Sequence, residues 1–254
     1  MTIWGRLLAG PALAALAGLA AACATSGSAR ADTDDCATPP EMTDTGMKLP
    51  RFAERLALHK PATIVAIGGA STIGKAAGSP DLSYPHRLEQ DLAQDFPNDK
   101  IAVVNKGVPK QSAKDMYERF PADVFAADPV LVVWEVGIID AVRGTDVEDF
   151  TATLQDGVDV LKNKAIDTIL MDMQFSPNSA TVINFEAYLN ALHRVGDLAD
   201  VYVFPRFEMM RYWSEQNVFN FDDVADADRA KLAARVYDCL GRKLAEIIHR
   251  AAMP

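Results

Sequence analysis

The chain has 254 residues and a formal net charge of −10, with 35 acidic side chains against 25 basic ones. That balance excludes a basic nucleic-acid-binding face, because phosphate contacts need clustered Lys and Arg. It disfavours an anionic membrane surface for the same reason. Hydrophobic residues make up 49% of the chain, which suits one α/β domain with a full core.

The first thirty residues read as a removable leader. Arg6 opens a short positive region, Leu7 to Ala22 is an Ala/Leu/Gly-rich apolar run, and Ala29-Arg30-Ala31 fits the small-x-small cleavage pattern. The run is too short for a membrane span. The rival reading is a lipoprotein, with Ala21-Ala22-Cys23 as lipidation box and Cys23 as anchor; Ala20 stands where a leucine is usual. Both readings export the chain, with the periplasm as the expected compartment. Removing residues 1–31, which carry Arg6 and Arg30 and no acid, makes the remainder two charges more negative. Of the three cysteines, Cys36 and Cys239 are left, and an oxidising compartment favours a bridge between them. The bridge would tie the N-terminal arm to the last helix; the alternative is two unpaired thiols.

Residues 32–50 are rich in Asp, Thr and Pro and read as an extended arm, with one domain over 51–254. Arg51–His59 has apolar residues at helical spacing. Thr63–Ile67 is an apolar, β-branched run, the pattern of a buried parallel strand. It stops at Gly68-Gly69, and a loop over 76–83 precedes a helix from Pro85 to about Gln94. Ile101–Val104 is a second strand, followed by Asn105-Lys106-Gly107 and a short helix near 112–120. Val130–Trp134 is a third strand. Asp146 is an N-cap for a helix from Val147 to about Asn163. Strands at 168–171 and 201–204 flank a helix near 182–195, and a helix follows over 206–215. The last helix starts at Asp226 or Asp228, with Leu232, Val236, Leu240, Leu244 and Ile248 as its apolar stripe. Five short strands alternating with helices predict a parallel sheet covered on both faces. No repeat, zinc spacing, phosphate loop or dinucleotide fingerprint occurs, so no cofactor or metal is expected.

Gly68-Gly69-Ala70-Ser71-Thr72-Ile73-Gly74 resembles the first block of the SGNH (GDSL-type) hydrolases, a family of serine esterases and lipases. The resemblance extends over nearly the whole mature chain and implies a three-layer α/β/α, flavodoxin-like fold. Anchored on Thr72-x-Gly74, it puts Ala70 in the nucleophile slot, with Ser71 one place late. Asn105-Lys106-Gly107 resembles the second block and implies Gly107 as a backbone oxyanion donor. Trp134 to Ala141 resembles the third block, with Ile139 in place of the oxyanion-binding asparagine. Losing one such donor typically costs about 10²–10³ in rate. For the fourth block, aligning Tyr237 to Leu240 puts Asp228 in the aspartate slot and Lys231 in the histidine slot. None of His59, His86, His193 or His249 lies near that position.

Three of four slots are therefore chemically wrong for ester hydrolysis. A lysine titrates near 10.4 and is a poor base at neutral pH, although a Ser71–Lys231 dyad is the route by which activity could persist. The resemblance thus implies a non-catalytic relative that binds an acylated glycan, a lipid or an envelope protein. The alternatives are an active esterase using Ser71 with Lys231 or another base, and a structural envelope protein. A monomer without a spanning segment after processing is expected. Asp172 to Pro177 either line the cleft or form a plain strand-exit loop. Arg206, Glu208, Arg211, Tyr212 and Trp213 form either a ligand wall or a helix with aromatics inward and charges outward. Asp222, Asp223 and Asp226 match no calcium loop and read as helix-start acids.

Overall fold

The computed structural model describes residues 36–44, 46–181, 183–222 and 224–253. The leader, its cleavage site and Cys23 lie outside these residues. In chain order the elements are α1 (Pro50–Ala57), β1 (Ala62–Gly68), α2 (Tyr84–Asp95), β2 (Ile101–Gly107), α3 (Ala113–Glu118), α4 (Phe120–Asp123) and β3 (Leu131–Glu135). Then follow α5 (Ile138–Arg143), α6 (Val147–Asn163), β4 (Asp167–Met171), α7 (Pro177–Ala180), α8 (Phe185–Ala199), β5 (Tyr202–Phe204), α9 (Arg206–Glu215) and α10 (Asp226–Ala252).

The strands form one parallel sheet in the order β2-β1-β3-β4-β5. Side chains alternate across it, as a period of two requires. Ile64, Leu131, Val133 and Ile169 face a core shared with Phe52, Leu88, Trp213, Leu240 and Leu244 of α1, α2, α9 and α10. Val65, Ile67, Val132, Trp134 and Leu170 face the other core, with Met116, Leu154, Val158 and Leu192 of α3, α6 and α8. Both faces are covered, which is why the strands read as unbroken apolar runs. Close packing has one sharp consequence at Gly157 of α6, where a Cβ would sit 2.4 Å from the Trp134 ring.

The order reverses at β1, with β2 on one side and β3 on the other. Ligand sites of open α/β sheets lie at the carboxyl ends of the strands beside such a switch point. The exits of β1 and β3 meet there.

The predicted bridge between Cys36 and Cys239 is present. It fixes the start of the described chain to α10, helped by hydrogen bonds from Trp213 Nε1 to the Ala37 carbonyl (3.0 Å) and from the Tyr202 hydroxyl to the Met42 carbonyl (3.2 Å). Closing a loop of 203 residues removes much unfolded-state entropy. The double variant Cys36→Ala/Cys239→Ala is expected to lose about 2–5 kcal/mol in urea unfolding, and a loss under about 1 kcal/mol would contradict this role.

Candidate functional site at the strand exits

Glu135, the last residue of β3, is 3% exposed, and Arg206, the first of α9, is 1% exposed. They form a buried ion pair, Arg206 Nη1 to Glu135 Oε1 at 3.0 Å. A buried pair survives only when its remaining hydrogen-bonding capacity is filled. Here the β1 exit fills the carboxylate's side, while Arg206 Nε is left without a hydrogen-bond partner. Ser71 Oγ donates to Oε1 at 2.7 Å, the Gly69 amide donates to Oε2 at 3.1 Å, and the Thr72 hydroxyl donates to Oε2. Arg206 Nη1 also donates to Ser71 Oγ (3.1 Å), and Nη2 donates to Gln174 Oε1 (3.2 Å). Tyr84, wholly buried on α2, completes the cluster with a 3.0 Å contact from its hydroxyl to Thr72 Oγ1. Burial opposes the charge of Glu135, but Arg206 and these donors outweigh it and hold the carboxyl below its usual range. Burial pushes the Tyr84 phenol far up, so it stays neutral.

Gly68 has to be glycine for this cluster to close. A Cβ there would lie 2.1 Å from Thr72 Oγ1 and 2.7 Å from Glu135 Oε2.

The expected site residues separate around this cluster. Ala70 is exposed at the tip of the β1 exit, whereas Ser71 is 4% exposed and directed into the ion pair. The Gly107 amide donates to Asn105 Oδ1 at 3.0 Å, so its hydrogen bond is taken within its own motif. Asn105 Nδ2 in turn donates to the Thr72 carbonyl (2.6 Å), tying β2 to the β1 exit. Ile139 is half-buried on α5. Its neighbour Asp140 is buried and accepts from the Ala113 amide, fixing the start of α3.

Asp228 and Lys231 are exposed in the first turns of α10, and neither lines the cleft beside the cluster; Ala70, Ser71, Gly107 and Ile139 do not line it either. That cleft, about 460 Å³, is lined on α10 by Arg229, Leu232, Ala233, Val236 and Tyr237. At 100° per residue, Lys231 points about 200° away from Arg229 and so lies off this face. Every histidine has its contact elsewhere: His59 with Asp99, His86 with Gln90, His193 with Asp172 and His249 with Asp95. No hydroxyl–imidazole pair occurs among these contacts.

The rest of the cleft wall is Gln174, Phe175, Ser176 and Asn178 after β4, with Ala76, Arg206, Met210, Phe221 and Val224. The segment after Asp172 thus lines the cleft. The α9 expectation divides: Trp213 packs in the core, Arg211 pairs with Glu208 and Glu215 at the surface, and Arg206 alone turns inward. A larger hollow of about 720 Å³ lies at the opposite edge, by Lys48, Asp167 and Thr168, away from the strand exits. No cluster of three metal-ligating side chains is present among the described residues.

Glu135→Gln leaves the Arg206 charge buried without its partner. The expected cost in urea unfolding is about 3–5 kcal/mol, the usual penalty for breaking a buried pair. Because the folded pKa of Glu135 is depressed, its stabilisation is full above the ordinary glutamate value near 4.3 and is lost as pH falls through the folded value. The variant is therefore expected to show a flatter acid limb of stability than the wild type; an unchanged limb would contradict this.

The sequence profile of the non-GDSL lipase-like family matches residues 35–254. No curated protein matches. Among solved structures, a catalytic mutant of an acetylxylan esterase from Geobacillus stearothermophilus is 19% identical, covering 74% of this chain and 94% of its own, with a TM-score of 0.59. A protein ascribed to the lipolytic G-D-S-L family from Desulfitobacterium hafniense DCB-2 is 22% identical, covering 73% and 99%, with a TM-score of 0.58. An α/β hydrolase enzyme from the metagenome of Lake Arreo, Spain, is 21% identical, covering 73% and 98%, with a TM-score of 0.57. At such identities these structures share the fold. The parallel sheet, the strand-exit motifs and the match over residues 35–254 together establish that the chain belongs to the non-GDSL lipase-like family, within the SGNH/GDSL hydrolases.

Proposed function

We propose that this protein binds a ligand on a hydrolase scaffold and does not itself cleave esters. The observation that carries the reading is the state of the two residues at the nucleophile position. Ala70 offers only an exposed methyl group, and the neighbouring hydroxyl of Ser71 is already engaged as donor to Glu135 and acceptor from Arg206. A serine attacks when a neighbouring base takes its proton. Glu135, held below the usual carboxylate range, is a weak base, and the guanidinium withdraws electron density from Oγ. Lys231, the other base considered, is exposed on a different face of α10.

The cleft supports binding rather than a filled, purely structural remnant. Its volume of about 460 Å³ falls in the usual range for small-molecule sites, roughly 300–1,000 Å³. Ala70 is exposed, so Ile139 does not cover it. The apolar wall of Phe175, Met210, Phe221, Leu232 and Val236 suits the acyl part of a lipid or an acylated glycan. The acetylxylan esterase among the structural neighbours is named for an esterified glycan. The reading places the protein outside the cytoplasm, as an exported protein, in keeping with the leader pattern of residues 1–31 and with the Cys36–Cys239 bridge.

The test is chemical. Purified protein is treated with a fluorophosphonate probe and assayed on short-chain p-nitrophenyl esters, beside Ser71→Ala. The expected outcome is no covalent adduct and turnover equal to buffer for both proteins. An adduct on Ser71, or turnover abolished by Ser71→Ala, would make the protein an esterase.

A further inference from the structure

A buried carboxylate and a half-exposed imidazole meet behind the cleft, outside the Glu135 cluster. Asp172 follows β4 and is fully buried. Its Oδ1 accepts from the Phe207 amide, in the first turn of α9, at 2.7 Å. Its Oδ2 has no hydrogen bond and lies 3.6 Å from His193 Nε2 of α8, beyond hydrogen-bond length but within ion-pair reach. The His193 side chain is 45% exposed and can exchange its proton with solvent.

This one carboxylate sits between both segments of a cleft wall. Gln174, two residues beyond Asp172, accepts from Arg206, and Arg206 immediately precedes Phe207. Gln174, Phe175 and Ser176 on the first segment and Arg206 and Met210 on the second line the cleft.

We propose that the His193–Asp172 pair is a proton-controlled latch on the cleft: the imidazolium holds the β4 exit loop against the start of α9, and the neutral imidazole releases it. The proposal rests on the reading of the cleft as a binding site and adds its regulation. The physical basis is that a buried carboxylate is costly without a counter-charge. With His193 neutral, Asp172 keeps one hydrogen bond and the more distant charge of Arg206 on α9. The other charged groups facing His193 are Asp197 on its own helix and Glu208 on α9, and both favour its protonation.

Contact with Asp172 outweighs the burial of His193 and holds the imidazole above its ordinary value; burial pushes Asp172 up, only partly offset by His193, the Phe207 amide and Arg206. The sign follows. A raised histidine contributes stability that is full below its unfolded value near 6.5 and is lost as pH rises through the folded value. Protonation of Asp172 ends the pair at the acid side, so the latch is closed in the window between the two groups.

The experiment is amide exchange by nuclear magnetic resonance on the full, ligand-free protein, corrected for intrinsic exchange rates, across roughly pH 5.5–8.5, the span of histidine titration. The Phe207 amide is expected to lose protection roughly tenfold with the midpoint of the His193 ring titration. His193→Gln is expected to show the low protection throughout, and His193→Lys, which keeps a charge, the high protection throughout. Phe207 protection that is flat in the wild type, or a pH dependence that survives in His193→Gln, would overturn the latch. No ligand enters the measurement, so failure of the latch is distinguishable from failure of the binding reading, which the latch presupposes.

Discussion

The carboxyl edge of the sheet depends on one buried ion pair, Glu135 with Arg206. Two charges taken out of water are stable only when their remaining donors and acceptors are filled. The chain supplies partners from four residues, the Gly69 amide and the Ser71 and Thr72 hydroxyls at the β1 exit and Gln174 after β4, and leaves Arg206 Nε unpartnered. The pair therefore joins the ends of β1, β3 and β4 to the start of α9. Gly68, which allows Thr72 and Glu135 to approach, serves the same closure.

Chemistry at the strand exits follows from that commitment. A hydroxyl already shared between a carboxylate and a guanidinium is held as a structural tie. Polar groups of the other strand-exit motifs are likewise spent on the fold: Asn105 on the Gly107 amide and the Thr72 carbonyl, and Asp140 on the amide that starts α3. What stays open is the apolar cleft beside them. A scaffold of this kind keeps a shaped cavity while the Ser71 hydroxyl and the Glu135 carboxylate are engaged internally, which suits recognition better than bond cleavage.

Much of the architecture was legible in periodicity. The buried stretches 64–67, 131–134 and 169–171 of β1, β3 and β4 are apolar runs because both sheet faces are covered. The stripe Val236, Leu240, Leu244 and Ile248 of α10 lies in the core as its spacing predicts. The short helix α5 was not legible, since it is entered through Gly137 at φ +104° and runs only from Ile138 to Arg143. The site was legible in place but not in composition. Position follows from a glycine turn at a topological switch point. Glu135 was missed because a charge closing an apolar strand reads as a strand end, although Leu-Val-Val-Trp-Glu with every residue buried was the available signal. Arg206 was hidden among charges that do lie at the surface, and its partner is 71 residues away.

The central claim is that Ser71 is a structural member of the Glu135 cluster rather than a free nucleophile. A double-mutant cycle in urea with Ser71→Ala, Glu135→Gln and the combined variant tests it most directly. The account predicts a coupling energy of about 0.5–3 kcal/mol, the range for residues sharing one buried network. Losses that add within about 0.3–0.5 kcal/mol would show that the two side chains are energetically independent, and would contradict it.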